Sequence, residues 1–397
     1  MERIIERNYL ETLRRVIGTP DIKVITGVRR SGKSVLLNSF KKYIAANIAN
    51  ANIIHIDLNK IDYEELREYH KLNEYIEGKY IKGKHNFVLI DEVQMCEGFE
   101  TTMNSLHAKG LYDLYITGSN AFLLSSDLAT LFTGRTYTIE IFPFSLKEYQ
   151  EYHKEKDPDK AFEGYLLDGG FAGSYIYKEQ EDRYKYISNV YNTLIVRDIQ
   201  QKYNIQNVPV LNRVGEFLMN NISNLTTGRN IANSLNSDGQ NVNHVTIDAY
   251  LKYLCDSYAF YKIKRFDIKG KAYLYSQGKY YLADHAIRYA KLGTTNLDYG
   301  RMYENMVAVE LMRRGYDVYV GTLRNKEIDF VARKRDEQIY IQVSANIDWE
   351  ETFQRELAPL MEIRDAYPRL IITRTHQPER TYEGVKIIDI AEWLSQA

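Results

Sequence analysis

The sequence contains 397 residues, of which 52 are Lys or Arg and 53 are Asp or Glu, so the formal net charge is −1. This balance excludes a globally basic protein, and any contact with nucleic acid would therefore need a local basic patch. No apolar run approaches the roughly 18 residues of a membrane-spanning helix, and the charged, amphipathic N-terminus is unlike a signal peptide. The two cysteines, Cys96 and Cys255, fit no disulfide or zinc pattern. We therefore expect a cytoplasmic protein with two or three domains and no membrane contact.

The first informative stretch lies between residues 21 and 34. Residues 1–20 have apolar side chains at helical spacing, and a short apolar strand follows at 22–25. The chain then reads GVRRSGKS, which fits the phosphate-loop pattern G-x-x-x-x-G-K-[ST]. Its two glycines let the backbone approach a ligand closely, and the helix that follows would present its N-terminus to phosphate. The predicted nucleotide-binding residues are Gly27, Val28, Arg29, Arg30, Ser31, Gly32, Lys33, Ser34 and Val35.

Within this loop, two side chains have predicted chemical roles. Lys33 would contact the outer phosphates as a point charge, and the Ser34 hydroxyl would bind Mg²⁺. The sequence leaves open whether Arg29 and Arg30 contact the nucleotide or face solvent.

A second apolar run, FVLIDEVQ at residues 87–94, ends in two carboxylates. A continuous apolar run is typical of a parallel strand that is buried on both faces, and ligands bind at the carboxyl ends of such strands. Asp91 would hold Mg²⁺, and Glu92 would polarise the attacking water. Because the run follows a phosphate loop, this interpretation is favoured over an ordinary strand that ends in solvated acids.

Two further polar positions are candidates for the same site. The strand LYDLYITG at 111–118 is followed by Ser119 and Asn120, and we interpret one of them as a sensor of the terminal phosphate rather than as part of a common turn. Arg135 follows a predicted helix end and precedes a predicted strand at 137–141. It is a candidate arginine finger or phosphate sensor, although its position alone favours a solvated or salt-bridged arginine. If Arg135 acts on a neighbour's nucleotide, the active form is a homo-oligomer.

The motifs GVRRSGKS, VLIDEVQ, ITGSN and LFTGRT…IFPFSLKEY, in this order and spacing, resemble the bacterial and archaeal AAA-type ATPases that carry a DUF4143 C-terminal half. The resemblance extends over essentially the whole chain. It implies an additional-strand P-loop core that uses ATP and Mg²⁺, and a long helix at 184–201 that joins the two halves. The site residues that it implies are Lys33, Ser34, Asp91 and Glu92, with Asn120 or Ser119 as sensor and Arg135 in a Gly-Arg motif.

Residues 205–290 resemble a winged helix. Helical patterns at 210–222, at 226–235 and from Asn243 or Thr246 onward are followed by alternating strands, with Gly270 and Gly278 as predicted turns. Residues 205–275 contain eight Lys or Arg and five Asp or Glu, so this region carries a small excess of positive charge. This excess is too small to decide between contact with double-stranded DNA and packing against protein.

The last hundred residues resemble the fold of restriction-like nucleases. Glu304, Asp329 and Gln342 stand where such enzymes place two acids and the first residue of an (E/Q)-x-K motif, but Ser344 occupies the lysine position. No lysine lies beside Ser344 in the sequence to replace it. We therefore expect a degenerate site, in which Glu304 and Asp329 are structural or vestigial rather than catalytic.

The predicted fold is α/β, with a P-loop ATPase core and parallel sheet at 1–150, a helical connector at 151–204, a winged-helix-like domain at 205–290 and a small nuclease-like domain at 291–397. We predict ATP hydrolysis by in-line attack of water, coupled to the C-terminal half. Three classes of function remain open: an ATPase that acts with or on DNA, a nucleotide-switched module that binds a protein client, and an ATP-regulated nuclease.

Overall fold

The computed structural model describes residues 5–118, 132, 134–295 and 297–396. The chain forms two compact units, one of residues 4–141 and one built chiefly from residues 142–397. Across the described ranges, we find no helix whose length and apolar character suit a membrane span.

A five-stranded parallel sheet forms the centre of the N-terminal unit. Its spatial order is β2-β3-β4-β1-β5, and every neighbouring pair is parallel. Strand β4 therefore lies between the strand that precedes the phosphate loop and the strand that ends at Asp91, which is the additional-strand arrangement that the motifs imply. The strands are β1 (Ile22–Thr26), β2 (Ala51–Asp57), β3 (His85–Asp91), β4 (Tyr112–Thr117) and β5 (Thr136–Glu140).

Helices cover both faces of this sheet, which explains why its central strands are buried along almost their whole length. Successive residues of a strand point to opposite faces, so Val24 belongs to one core cluster and Ile25 to the other. Helices α1 and α2 supply side chains to one cluster and α3 and α4 to the other. The helices are α1 (Tyr9–Arg15), α2 (Lys33–Asn47), α3 (Tyr69–Gly78) and α4 (Phe99–Lys109), with a 3₁₀ segment (Ile61–Arg67) before α3.

The C-terminal unit contains an eight-stranded mixed sheet of order β12-β13-β11-β10-β9-β8-β6-β7. The β6–β7 hairpin, which the sequence predicts as a wing, pairs through β6 with β8 of the nuclease-like strands. The predicted boundary after residue 290 therefore crosses one sheet, and the four-part division of the chain stays a prediction. The strands are β6 (Phe260–Asp267), β7 (Ala272–Leu282), β8 (Asp317–Leu323), β9 (Lys326–Lys334), β10 (Glu337–Ser344), β11 (Arg369–Thr373), β12 (Arg380–Tyr382) and β13 (Val385–Asp389).

The helices of this unit for which the sequence predicts bounds lie within about one turn of the predicted positions. Helix α7 continues through a π-helical stretch at Leu194–Gln200, in agreement with the predicted long helix. Thr227 and Asn243 cap α9 and α10 with their side-chain oxygens. The helices are α5 (Leu146–His153), α6 (Pro158–Asp168), α7 (Gln180–Thr193), α8 (Val208–Asn220), α9 (Gly228–Ser237), α10 (His244–Asp256), α11 (Ala286–Leu292), α12 (Tyr299–Arg313), α13 (Glu350–Met361) and α14 (Ile390–Ser395).

The prediction that Gly278 forms a turn is wrong. Gly278 lies inside β7, opposite Lys264 of β6, and its backbone also forms a bridge with Thr226. A Cβ at this position would lie 2.8 Å from the carbonyl oxygen of Ile263. The glycine therefore permits a close approach of backbone segments rather than a reversal of the chain.

Candidate nucleotide-binding site

The phosphate loop connects β1 to α2 through two glycines in conformations that other residues rarely adopt. Gly27 has φ 130°, and a Cβ there would lie 2.0 Å from the carbonyl oxygen of Ile141. Gly32, with φ 101°, stands directly before α2. The loop therefore reaches the N-terminus of α2, where backbone N–H groups have no partner within the helix and favour an anion.

Lys33 lies over this loop rather than in solvent. Its side chain is buried, with the residue only 6% exposed, and its Nζ donates hydrogen bonds to the carbonyl oxygens of Gly27 at 2.8 Å and Val28 at 3.1 Å. A phosphate oxygen carries negative charge, so it would attract the Lys33 ammonium more strongly than these neutral carbonyls do.

The loop helix and two strands meet at the carboxylate of Asp91. Asp91 ends β3 and is buried, and it accepts hydrogen bonds from the hydroxyls of Thr117, at the end of β4, and Ser34, in the first turn of α2. Burial raises the pKa of Asp91, these two hydroxyls lower it, and the nearby charges of Glu92 and Asp57 raise it. The net result is a raised pKa of Asp91, mainly because of burial, and a cation bound at this point would favour the charged carboxylate.

These donors fit Mg²⁺. A hydroxyl and a carboxylate from Ser34 and Asp91 are hard oxygen ligands, and Asp57 lies opposite Asp91 in the β2–β3 register. Among the described residues, we find no group of three or more His, Cys, Asp or Glu side chains that could enclose a metal by itself. Mg²⁺ at ATPase sites is bound by one or two protein groups plus phosphates and water, and the pair of Ser34 and Asp91 matches that pattern.

Glu92 leaves β3 in a left-handed conformation, with φ 56°, which a non-glycine residue seldom adopts. Its backbone N–H donates to Thr117 Oγ1 at 3.1 Å, and its carboxylate accepts a hydrogen bond from Gln94 Nε2 at 2.6 Å. Strained backbone of this kind is concentrated at functional sites, and here it is fixed from two sides. The structure thus places a held carboxylate next to the candidate Mg²⁺ ligand.

The remaining predicted residues are less closely tied to this cluster. Ser119 and Asn120 lie outside the described residues, so the sensor stays a prediction. Arg135 is exposed, and its carbonyl accepts a hydrogen bond from the N–H of Ile22 at the start of β1. Its role as an arginine finger on a neighbouring chain also stays a prediction.

The other residues of the predicted loop differ in their exposure to solvent. Arg30 has φ 67° and is exposed, whereas Arg29 is half-buried. Val35 is exposed in the first turn of α2. Ser31 is buried, and its Oγ has no hydrogen-bond partner in the described residues.

Three residues near the site were not predicted from the sequence. Thr117 and Asp57 each stand at the end of an apolar strand, as Asp91 does, and this shared position is a signal that could have identified them. Arg7 gives no such signal, because it lies in the predicted amphipathic segment and nothing in its local pattern connects it with the loop.

The nuclease-like residues also come together, and a lysine from outside the predicted motif joins them. Asp329 donates its N–H to Gln342 Oε1 at 2.7 Å, and Asp329 Oδ2 accepts from the Val343 N–H at 2.9 Å. Lys279 of β7 places its Nζ 2.8 Å from Glu304 Oε1 and 3.4 Å from Asp329 Oδ1. It comes from the hairpin because β6 and β7 join the same sheet.

Lys279 supplies one positive charge inside this acidic cluster. It is 3% exposed, and a third carboxylate, Glu327, lies 2.8 Å from its Nζ. Burial alone would lower the pKa of Lys279, but Glu304, Asp329 and Glu327 hold it above its ordinary value. The ammonium thus occupies the position between the acids where a metal-dependent nuclease would need a cation.

Glu304 makes the stability of this unit depend on pH. Burial, with the charge of Asp329, raises the pKa of Glu304 to about 7, against the opposing effect of Lys279. The folded state therefore binds the proton more tightly than the unfolded chain, so this contribution to stability is complete below the unfolded pKa of 4.5 and is lost as the pH rises through about 7. We expect Glu304→Gln to flatten the fall in the free energy of unfolding across this window, as measured by urea unfolding at a series of pH values. Parallel profiles for the two proteins would contradict this assignment.

Comparisons with known proteins agree with this architecture. A family model described as an AAA domain matches residues 19–150. Two domains of unknown function follow, DUF8612 at residues 159–298 and DUF4143 at residues 299–393. The DUF4143 match is therefore confined to the last part of the chain, and a separate model covers the region between it and the AAA domain.

Relatives occur in a bacterium and an archaeon, and the bacterial one matches over nearly its full length. An uncharacterized protein of Haemophilus influenzae is 36% identical over 400 residues, which cover 99% of each chain. The uncharacterized protein MJ1544 of Methanocaldococcus jannaschii is 27% identical over 357 residues, covering 85% of this chain and 77% of its own. Among solved structures, AMPPCP-bound DnaA from Aquifex aeolicus is 13% identical, covers 64% of this chain and 89% of its own, and has a TM-score of 0.32, which is too low to support a functional comparison.

The parallel sheet with β4 inserted, the phosphate loop and the hydroxyl–carboxylate cluster at Asp91 define a P-loop protein of the AAA class. The chain belongs to the family of AAA-domain proteins with a C-terminal DUF4143 region, in which the Haemophilus influenzae protein is a relative over the full length.

Proposed function

We propose that this protein binds ATP with Mg²⁺ and hydrolyses it, and that the nucleotide state controls its C-terminal half. The observation that supports this proposal most strongly is the convergence on Asp91. Ser34 from the phosphate-loop helix and Thr117 from the inserted strand both hydrogen-bond its carboxylate. The phosphate loop and the acidic strand end are therefore parts of one site.

Each side chain then has a role that follows from its position. Lys33 exchanges the loop carbonyls for the outer phosphates and stabilises the charge that develops there. Ser34 and Asp91 hold Mg²⁺, which neutralises phosphate charge when bound. Glu92 orients the attacking water, and Gln94 and Thr117 keep its carboxylate and backbone in place.

The C-terminal half offers a second, coupled candidate function, the binding of double-stranded DNA. Helices α8, α9 and α10 follow one another as in a helix-turn-helix unit, and α10 begins with exposed His244 and Val245, the latter 64% exposed. Recognition helices contact bases with their N-terminal residues. Lys252 of α10 is, however, paired with Asp256 at 2.7 Å, which weakens the local positive charge.

One experiment tests the function and separates these partners. We expect phosphate release from ATP by the full chain in Mg²⁺, and none in the presence of a chelator. If DNA is the partner, double-stranded DNA raises the rate, and added salt removes the increase, because phosphate contacts release counterions. A rate that is indifferent to DNA at low salt would favour a protein client. The absence of Mg²⁺-dependent hydrolysis under every condition would contradict the proposed function.

A further inference from the structure

Arg7 reaches the phosphate loop from outside it. The residue precedes α1 and is only 8% exposed. Its Nη1 donates a hydrogen bond to the carbonyl oxygen of Ser31 at 2.8 Å and lies 3.6 Å from the point where a Cβ would stand on Gly32. Its guanidinium also lies over the ring of Tyr9, at 4.8 Å from the centroid. A buried cation of the N-terminal segment thus contacts the Ser31–Gly32 peptide of the phosphate loop.

The contact with Ser31 fixes more than one oxygen. A trans peptide is planar, so its C=O and N–H point in opposite directions. When Arg7 holds the Ser31 carbonyl on one side, the Gly32 N–H must face the other side. Gly32 has φ 101°, and glycine restrains its neighbouring peptides less than any other residue. An external anchor therefore has a large effect on how this N–H is presented.

The Lys33 ammonium holds the opposite end of the loop in a comparable way. It binds the carbonyls of Gly27 and Val28, which it would exchange for phosphate when nucleotide enters. Arg7 approaches from another segment, and its fork of N–H donors suits a fixed contact better than a mobile one. The two cations thus hold opposite ends of the phosphate loop.

We propose that Arg7 is a positioning residue for the bound nucleotide, which orients the Ser31–Gly32 peptide so that the loop N–H groups receive the α- and β-phosphates. The inference rests on the proposed nucleotide site. Backbone N–H groups of a phosphate loop contact the α/β-phosphates, which ATP and ADP share, whereas Lys33 reaches the outer phosphates. Arg7 therefore sets the affinity for both nucleotides and leaves the rate of the chemical step unchanged.

The test compares wild type with Arg7→Met, Arg7→Lys and, as a matched control, Arg15→Met on the exposed side of α1. The full chains are titrated with fluorescent ATP and ADP analogues in Mg²⁺, and kcat is measured at saturating ATP. A lost hydrogen bond from a charged donor predicts affinities for ATP and ADP that are both weaker by about tenfold in Arg7→Met. We expect an intermediate loss in Arg7→Lys, wild-type affinity in Arg15→Met, and kcat within about twofold throughout.

Each outcome is decisive for Arg7. Wild-type affinities in Arg7→Met, a loss for ATP alone, or a fall in kcat with unchanged KM would each overturn the inference while leaving the proposed function in place. If Arg7→Met does not fold, Arg7→Lys decides by the same criteria, because it keeps the charge and most of the volume. A wild-type chain that binds neither nucleotide overturns the proposed function and this inference together.

Discussion

Replacing Lys33 by methionine should weaken the binding of Mg²⁺·ATP by about 100-fold. The ammonium is buried over the loop, with carbonyl oxygens at 2.8 and 3.1 Å, so it is positioned to meet phosphate with little solvent between them. Removing one partner of a buried charge pair costs about 2–5 kcal/mol, and each 1.4 kcal/mol is a factor of ten in affinity. Methionine keeps the length of the apolar side chain, so the loss reports the charge. Equilibrium titration with a non-hydrolysable ATP analogue measures it.

Lys42→Met provides the control for this measurement. Lys42 is exposed on the same helix α2, and its replacement removes one positive charge without touching the loop. We expect wild-type affinity in Lys42→Met and unchanged folding in both variants by circular dichroism. Equal losses in the two variants would show that Lys33 acts only through net charge, which would contradict its place in the site.

Lys279→Met should destabilise the C-terminal unit by about 3–5 kcal/mol, the usual cost of leaving buried charges without their partner. Lys279 contacts Glu304, Glu327 and Asp329. Its loss leaves these neighbouring carboxylates without a cation between them. Both tryptophans of the chain, Trp349 and Trp393, lie in the C-terminal unit. Tryptophan fluorescence during urea unfolding therefore reports this unit selectively.

Two further variants sharpen the Lys279 measurement. Lys269→Met removes an exposed lysine from the turn of the same hairpin, and we expect it to unfold like wild type. Adding Glu304→Gln to Lys279→Met should restore part of the lost stability, because it removes one of the uncompensated charges. An unfolding midpoint in Lys279→Met equal to that of wild type would show that the ion cluster contributes nothing to this unit.

The same cluster bears on the nuclease alternative. The ammonium of Lys279 stands between the acids that a metal-dependent nuclease would use, and Ser344 stands at the usual lysine position. We therefore propose a structural role for Glu304 and Asp329. Mg²⁺-dependent cutting of DNA by wild type that is abolished in Asp329→Ala would contradict that role.

Features encoded by neighbouring residues were predictable from the sequence. The phosphate loop depends on two glycines, a lysine and a serine at fixed spacing, and the buried strands depend on continuous apolar runs. Each of these patterns is contained in a short stretch of sequence, so it can be recognised without the tertiary structure. Asp91 is recognisable because it directly follows such a run. Its contact with Thr117 is different, because it requires β4 to lie beside β3. Strand order is a property of the whole sheet, and no short pattern specifies it.

The missed features depend on contacts between residues that are distant in the chain. Lys279 joins the acids only because β6 pairs with β8, so the sequence around Ser344 could not reveal it. Gly278 resembles a turn residue, yet it lies in β7, where a Cβ would stand 2.8 Å from the carbonyl oxygen of Ile263 in the paired strand β6. Arg7 likewise acquires its contact with Ser31 through the packing of the N-terminal segment. In each case tertiary contacts outweigh the local preference.

The most direct test of the proposed ATP hydrolysis compares the rates at which Glu92→Gln and wild type hydrolyse Mg²⁺·ATP. Glu92 is held in a left-handed conformation next to Asp91, with its carboxylate bound by Gln94, and removing a general base lowers rates by about 10²–10⁴-fold. We predict a loss of this size in kcat with ATP binding retained, and a normal rate in Glu97→Gln, which changes an exposed carboxylate nearby. Hydrolysis in Glu92→Gln at the wild-type rate would contradict the account, because the acidic end of β3 would then have no part in the chemistry.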